Sequence, residues 1–249
     1  MVKFFVFLMT IFVMMGCKTQ TSANVTPQVS MSLQIVPDYN GAPLVMYKTY
    51  TFNGKPIQFT RFSFILSRLC GSASANCQNR QMQFDFAVNT DSVSALKGLT
   101  NSFQTDPTAL QNIVLGFGVD SISNAVPPAQ QNQNSPLANG LNYWDAWNSY
   151  IFLKIEGMYD KDGDGVFETP FALHTGGNPT YSEKTFNLNN NFTNATSLRL
   201  LFNVNLAKII NGINLNVTTQ THKSGDLPLM QTMMNNFNVA FIYKGSFIQ

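Results

Sequence analysis

Apolar and polar residues alternate with a period of two along most of this chain, the pattern of strands that bury one face and wet the other. Ser30–Pro37, Lys48–Phe52, Ile57–Leu66, Met82–Val88 and Ile113–Val119 carry it. Ser149–Gly157 sets Ile151, Leu153 and Ile155 on one face against Tyr150, Phe152 and Lys154 on the other. Val166–His174, Thr185–Phe192, Ser197–Asn205 and Asn238–Lys244 complete the series. Turn signals such as Asn40-Gly41, Asn53-Gly54 and Gly176-Gly177-Asn178 lie between them. Only Leu206–Asn211 and Leu227–Asn236 read as helical. The pattern predicts an all-β fold, a mostly antiparallel β-sandwich with one or two short helices near the C-terminus, as a single domain over 31–249. The polar run Ala125–Asn142, rich in Pro, Gln and Asn, predicts a long loop. A loop of that length is usually either functional or disordered.

The N-terminus departs from this pattern. Lys3 is followed by an apolar run from Phe4 to Met15 and then Gly16, which is the layout of a secretory signal over 1–16. The run is too short for a bilayer, which takes roughly 20 residues to cross. Cys17 follows the small residue at once, the arrangement of a bacterial lipobox, with Met14 where Leu is usual. Its thiol is expected to take a diacylglycerol and become the mature N-terminus. Two or three acyl chains anchor stably where one is marginal. The small polar residues of 17–30 suit a flexible tether. The expectation is therefore a lipoprotein attached to the membrane of a Gram-negative bacterium, at its periplasmic face or on the cell surface. Lys18-Thr19-Gln20-Thr21 lacks the acidic residues that accompany surface display in some groups, which favours the periplasmic face.

Composition fits export. Charged residues make up 11% of the chain, against roughly a quarter in ordinary soluble domains, while the apolar share of 44% is ample for a core. The net charge of +2 is spread over scattered Lys and Arg, which argues against nucleic acid as a partner. Once Cys17 carries lipid, two cysteines remain, Cys70 and Cys77, flanking Gly-Ser-Ala-Ser-Ala-Asn. An oxidising compartment and a flexible loop of small residues favour a disulfide. The other reading is a pair of thiolate ligands for a soft metal, which usually has further ligands nearby.

Several blocks together resemble one family. They are Gly41-Ala42-Pro43-Leu44, Phe62-Ser63-Phe64-Ile65-Leu66-Ser67, Leu115-Gly116-Phe117-Gly118-Val119-Asp120 and Trp144-Asp145-Ala146-Trp147 running on through Tyr150-Ile151-Phe152-Leu153-Lys154-Ile155-Glu156-Gly157. Phe171-Ala172-Leu173-His174-Thr175-Gly176, Asn203-Val204-Asn205-Leu206-Ala207-Lys208 and His222 close the series. Over about 31–243 the chain resembles the MbnP-like family, exported proteins named after a copper-binding partner of methanobactin systems. The resemblance implies copper binding through histidines, some relatives adding a tryptophan oxidised to kynurenine by a partner dihaem enzyme of the MauG type. Both histidines of the chain, His174 and His222, fall in matching blocks, and Trp144 and Trp147 are equal candidates for oxidation. Without that resemblance, a His at a strand end is more often a hydrogen-bonded structural residue. Two Trp at a loop-to-strand junction are more often a binding-surface anchor or core. The competing function is metal-independent adhesion or ligand binding at the surface through Trp144, Trp147 and the 125–142 loop. Asp120 and Glu156 read as hydrogen-bonded groups that fix that loop.

One motif stands apart from these blocks. Asp160, Asp162 and Asp164 alternate before Gly165, with the Val166 carbonyl next and Glu168 in reach, which is how a calcium loop begins. Phe171 stands at the twelfth position, where a helical calcium loop carries Glu, and a hairpin turn favours the same Asp and Gly residues. Calcium and a plain turn are both open. No Gly-x-Ser-x-Gly, phosphate loop or His-Glu-x-x-His is present, so no catalytic residue is assigned and the chain reads as a binding module.

Overall fold

The computed structural model describes residues 29–71, 77–105, 112–188, 192 and 195–248. The signal segment, Cys17 and the tether up to residue 28 lie outside the described residues. The strands are β1 (Val29–Tyr39), β2 (Ala42–Pro43), β3 (Thr49–Phe52), β4 (Lys55–Cys70), β5 (Cys77–Gln78), β6 (Met82–Asp85) and β7 (Leu99–Thr105). They continue as β8 (Asn112–Phe117), β9 (Tyr143–Trp144), β10 (Ser149–Tyr159), β11 (Thr169–Gly176), β12 (Ser182–Asn187), β13 (Ser197–Asn205) and β14 (Phe241–Ile248). Four short helices join them, α1 (Ser92–Lys97), α2 (Ser121–Asn124), α3 (Leu206–Ile209) and α4 (Leu227–Ala240). One sheet runs β14-β13-β1-β2, with β7 also on β1; the other runs β11-β10-β4-β8-β12, with β3, β5 and β6 on β4 and β9 on β10. β1 and β13 run parallel, and the other ladders among the described strands are antiparallel. The mostly antiparallel β-sandwich expected from the alternation is the fold of the chain.

The inner faces meet through aromatic rings. Val29, Met31, Leu33 and Ile35 of β1 and Leu198, Leu200, Phe202 and Val204 of β13 are fully buried at every second position, as the period requires. α4 closes the sandwich with Met230, Met233, Met234, Phe237 and Ala240, a single helical stripe. Phe237 reaches the rings of Phe64 at 4.9 Å and Phe117 at 5.1 Å, so the helix is fastened to the second sheet. Lys184 donates to the carbonyls of Asn238 and Phe241 at the helix end, where free carbonyls need a donor. Among the described residues, no helix is long and apolar enough to cross a membrane.

The structure differs from the sequence expectation at several places. The helices α1 and α2 are additional to Leu206–Asn211 and Leu227–Asn236, which alone read as helical, and a 3-10 turn, Phe86–Val88, ends the expected strand Met82–Val88. Leu99–Thr105 is a strand on β1 that the alternation does not reveal, because its polar Thr100, Asn101, Ser102 and Gln104 leave only Phe103 and Thr105 buried. Asn238–Ala240 continues α4 rather than opening the last strand, since Phe237 and Ala240 complete the buried stripe of the helix. Val166–Glu168 lies outside β11, in a turn region where Val166 is exposed. The Cys70–Cys77 disulfide closes across the first pair of the β4–β5 ladder.

Candidate metal centre

Residues opposed across a ladder share a face of the sheet. In β10, Leu153 and Ile155 face Phe64 and Phe62 of β4, and Ile155 faces Leu173 of β11, all buried in the sandwich core. The residues between them point the other way. Lys154 stands opposite Ser63 and His174, and Glu156 opposite Arg61 and Ala172, so a row of ionisable groups lies on the outer face of the second sheet. Two segments cover this row and make it a site.

The first cover is the long segment after β8. Asp120 does not fix it as expected but caps α2, accepting from the amides of Ile122 and Ser123. Asn124 accepts from the amide of Tyr150 at 2.9 Å, and Tyr150 Oη donates to the Val126 carbonyl. Residues 125–142 then fold as three one-turn 3-10 segments, Pro128–Gln130, Pro136–Ala138 and Gly140–Asn142, anchored by fully buried Leu137. Lys154, only 4% exposed, holds the end of this cover by donating to the Leu141 carbonyl at 2.6 Å and to Asn142 Oδ1 at 3.2 Å. Burial, with Arg61 nearby, pulls the Lys154 ammonium down to about 8. The loop is thus an ordered lid over β10, and Lys154 rather than Glu156 is the strand residue that ties it.

The lid feeds directly into the tryptophans. β9 pairs with the start of β10, Trp144 opposite Ser149, and Asp145–Trp147 forms a 3-10 turn closed by Asn148 at φ +49°. Trp147 lies over Gly176 of β11, where a β-carbon would approach its ring to 3.0 Å and the Tyr150 carbonyl to 2.5 Å, so only glycine permits this packing.

The second cover is the segment 219–222, which runs beside β11. The Ala172 amide donates to the Thr219 carbonyl at 2.8 Å, and the Thr221 amide returns to the Ala172 carbonyl. Thr221 is fully buried, and its hydroxyl accepts from the His174 amide at 2.7 Å while donating to the His174 carbonyl at 2.6 Å. This clamp on both backbone groups of His174 sets the next residue, His222, in front of it. Trp147 Nε1 donates to the His222 carbonyl at 3.1 Å and holds the segment from the other side.

The result is a cluster of four rings. Nε2 of His222 lies 3.0 Å from Nδ1 of His174, and Nε2 of His174 lies 2.8 Å from Glu156 Oε1. The Trp144 ring stacks on the His222 ring at 4.7 Å and 21°, and Trp147 sits 6.0 Å from Trp144. Trp144 Nε1 is buried with no hydrogen-bond partner among the described residues. Burial, and His174 beside it, hold the His222 imidazole below its ordinary value; the hydrogen bond from His174 holds the Glu156 carboxyl below its own. The structure therefore gathers His174, His222, Trp144 and Trp147 at one place, with Glu156 behind them.

A donor set of this kind suits a first-row metal. Two imidazole nitrogens bound at about 2.0 Å in a tetrahedral arrangement stand roughly 3.3 Å apart, close to the separation seen here. Imidazole ligands serve copper, zinc, iron and nickel, and Glu156 is engaged at the far nitrogen of His174 rather than at the facing pair. Surface clefts of 330 to 540 Å³ are lined by residues other than the histidine pair. Thr221 is the residue of this candidate site that no sequence signal marks; a Thr 47 residues from its partner in the chain has no periodicity or motif to reveal it.

The acidic turn stands at the other end of β10. Asp160, fully buried, accepts from the amides of Gly163 and Gly165 at 2.6 and 3.0 Å. Asp160, Asp162 and Glu168 place one oxygen each within 4.8 Å of one another. Asp164 turns its Oδ1 to the Val166 amide at 2.8 Å, and Lys55 Nζ donates to the Asp162 carbonyl at 2.8 Å.

Two sheets, a lid on the outer face and an imidazole pair stacked on indole define a β-sandwich protein with a candidate metal centre of histidine type. The sequence profile of the MbnP family matches residues 28–231, and the chain belongs to that family. The solved structure of MbnP from Methylosinus trichosporium is similar, with a TM-score of 0.53 and 11% identity over 79% of this chain and 81% of that chain. At that identity the likeness shows a shared fold. A comparison with the curated proteins found no match.

Proposed function

We propose that the protein is an exported, lipid-anchored copper-binding module that acquires or handles copper and performs no catalysis of its own. The observation that carries this reading is the approach of His174 Nδ1 and His222 Nε2 to 3.0 Å beneath a stacked indole. Membership of the MbnP family supports it, since the resemblance in sequence implies copper. Of the two tryptophans, Trp144 is the residue proposed for oxidation. A kynurenine nitrogen derives from the indole nitrogen; that of Trp144 is buried beside His222 and has no partner among the described residues, whereas that of Trp147 is held by the His222 carbonyl. A dihaem oxidase of the MauG type is the proposed partner for that step, and the periplasmic face of the membrane the proposed location.

Protein purified from its own host and titrated with Cu(I), Cu(II) and Zn(II) tests this. Stoichiometric copper that is lost in His174→Ala and in His222→Ala is the expected result. Absence of tight copper, with both tryptophans of unmodified mass, would move the function to metal-independent surface binding. A second reading concerns the acidic turn, where three carboxylate oxygens gather: calcium there would stiffen the β10–β11 hairpin. A rise in Tm on adding calcium, absent in Asp162→Asn, is its test.

A further inference from the structure

We propose that Glu156 is a positioning residue that selects which nitrogen of His174 meets the metal, by accepting a hydrogen bond from Nε2–H and so leaving Nδ1 as the ligand. The inference rests on the copper reading for its affinity consequence, but not for its structural content.

The geometry is specific. A carboxylate only accepts hydrogen bonds, so the 2.8 Å contact between Glu156 Oε1 and His174 Nε2 places the proton on Nε2. A neutral imidazole carries one proton, so Nδ1 then presents its lone pair, and Nδ1 is the atom that faces His222 at 3.0 Å. Were the tautomer reversed, an N–H would point into the space between the two histidines and Nε2 would have no donor for the carboxylate. Glu156 can do this because it is fixed in turn. It projects from β10 on the same face as His174, two residue pairs along the ladder, and Arg61 stands opposite it on β4. Arg61 is itself held by Asp85 at 2.5 Å. The backbone of His174 is clamped by Thr221, so the imidazole has little freedom except rotation of the ring, and that is the freedom Glu156 removes.

Second-layer carboxylates of this kind fix ring orientation and raise ligand basicity, and their loss weakens metal binding about 10- to 100-fold. Glu156, the carboxylate of a strand whose other polar side chains are Ser149, Lys154 and the hydroxyls of Tyr150 and Tyr159, thus acquires a purpose. Its distance from the facing pair of nitrogens keeps it out of the coordination sphere.

The test uses the full-length chain in detergent, with histidine labelled at its ring nitrogens. Long-range proton–nitrogen NMR on the metal-free protein reports the tautomer of His174 directly. The expected result is a single Nε2–H tautomer in the native protein, a mixed or reversed tautomer in Glu156→Ala, and recovery in Glu156→Gln, which keeps an acceptor oxygen in place. An Nδ1–H tautomer in the native protein, or no change in Glu156→Ala, would overturn the proposal. The native spectrum decides even if the alanine variant fails to fold. Competition with a Cu(I) chelator then reads affinity, expected to fall 10- to 100-fold in Glu156→Ala. If the native protein binds no Cu(I), the copper reading fails while the tautomer still decides the role of Glu156.

Discussion

Nε2 of His222 meets Nδ1 of His174 at 3.0 Å, although 48 residues separate them in the chain. Neither residue reaches the other by local structure. β11 carries His174, and a segment held to β11 by the buried Thr221 side chain and by backbone bonds to Ala172 carries His222. The site is therefore as firm as that pinning, and several expected outcomes follow from it.

Thr221→Val keeps the shape of the side chain but removes both hydrogen bonds to the His174 backbone. Leaving buried amide and carbonyl groups unsatisfied costs about 1–3 kcal/mol. Urea denaturation should show a loss of that size, and copper affinity should fall with it because His222 is no longer registered. A variant of native stability and native affinity would show that the clamp is incidental.

Gly176→Ala inserts a carbon 2.5 Å from the Tyr150 carbonyl and 3.0 Å from the Trp147 ring. Overpacking of this kind costs about 1–3 kcal/mol. Trp147 should be displaced, releasing its bond to the His222 carbonyl, so its fluorescence should shift toward that of exposed indole while Tm drops.

Acid should destabilise the metal-free protein in two stages. His222 binds its proton less readily folded than unfolded, so the unfolded state takes up more protons as pH falls through 6.5 and stability declines. Glu156, held below its ordinary 4.5, adds stability that is present above that value and lost as pH falls through its folded value. Tm measured from pH 8 to 3 should show both declines, and His222→Gln should abolish the upper one.

Trp144 and Trp147 should differ in fate. In protein from the native host, peptide mapping is expected to find oxidation at Trp144, to find it still in Trp147→Phe, and to lose it in Trp144→Phe. Oxidation confined to Trp147 would reverse the assignment.

Asp160→Ala removes the acceptor for two turn amides, a loss of about 1–3 kcal/mol for a buried group. Thermal unfolding in chelator reads this structural contribution free of any bound cation.

Much of the fold was legible because strand period and burial are local properties. β1, β10 and β13 bury alternate or nearly continuous residues, and the sequence shows it. Leu99–Thr105 was not legible, since a strand whose outward positions are all polar and whose inward ones are few looks like a loop. The boundary of α4 was blurred for a related reason: Phe237 and Ala240 suit a strand as well as a helix until the position of Phe64 and Phe117 decides between them.

For the site, the sequence by itself determined the residue types and the blocks that hold them: His174, His222, Trp144, Trp147 and the acidic turn. It also determined that Glu156 shares a face of its strand with Lys154, because side chains two apart on a strand point the same way. It could not determine which groups touch. That Lys154 ties the lid while Glu156 turns to His174, that Thr221 grips the backbone of His174, and that Trp144 rather than Trp147 lies flat on His222 were decided by the tertiary structure alone. The reason is that ladder register and loop closure bring together residues tens of positions apart, and a hydrogen bond depends on tenths of an ångström that no spacing in a single chain encodes.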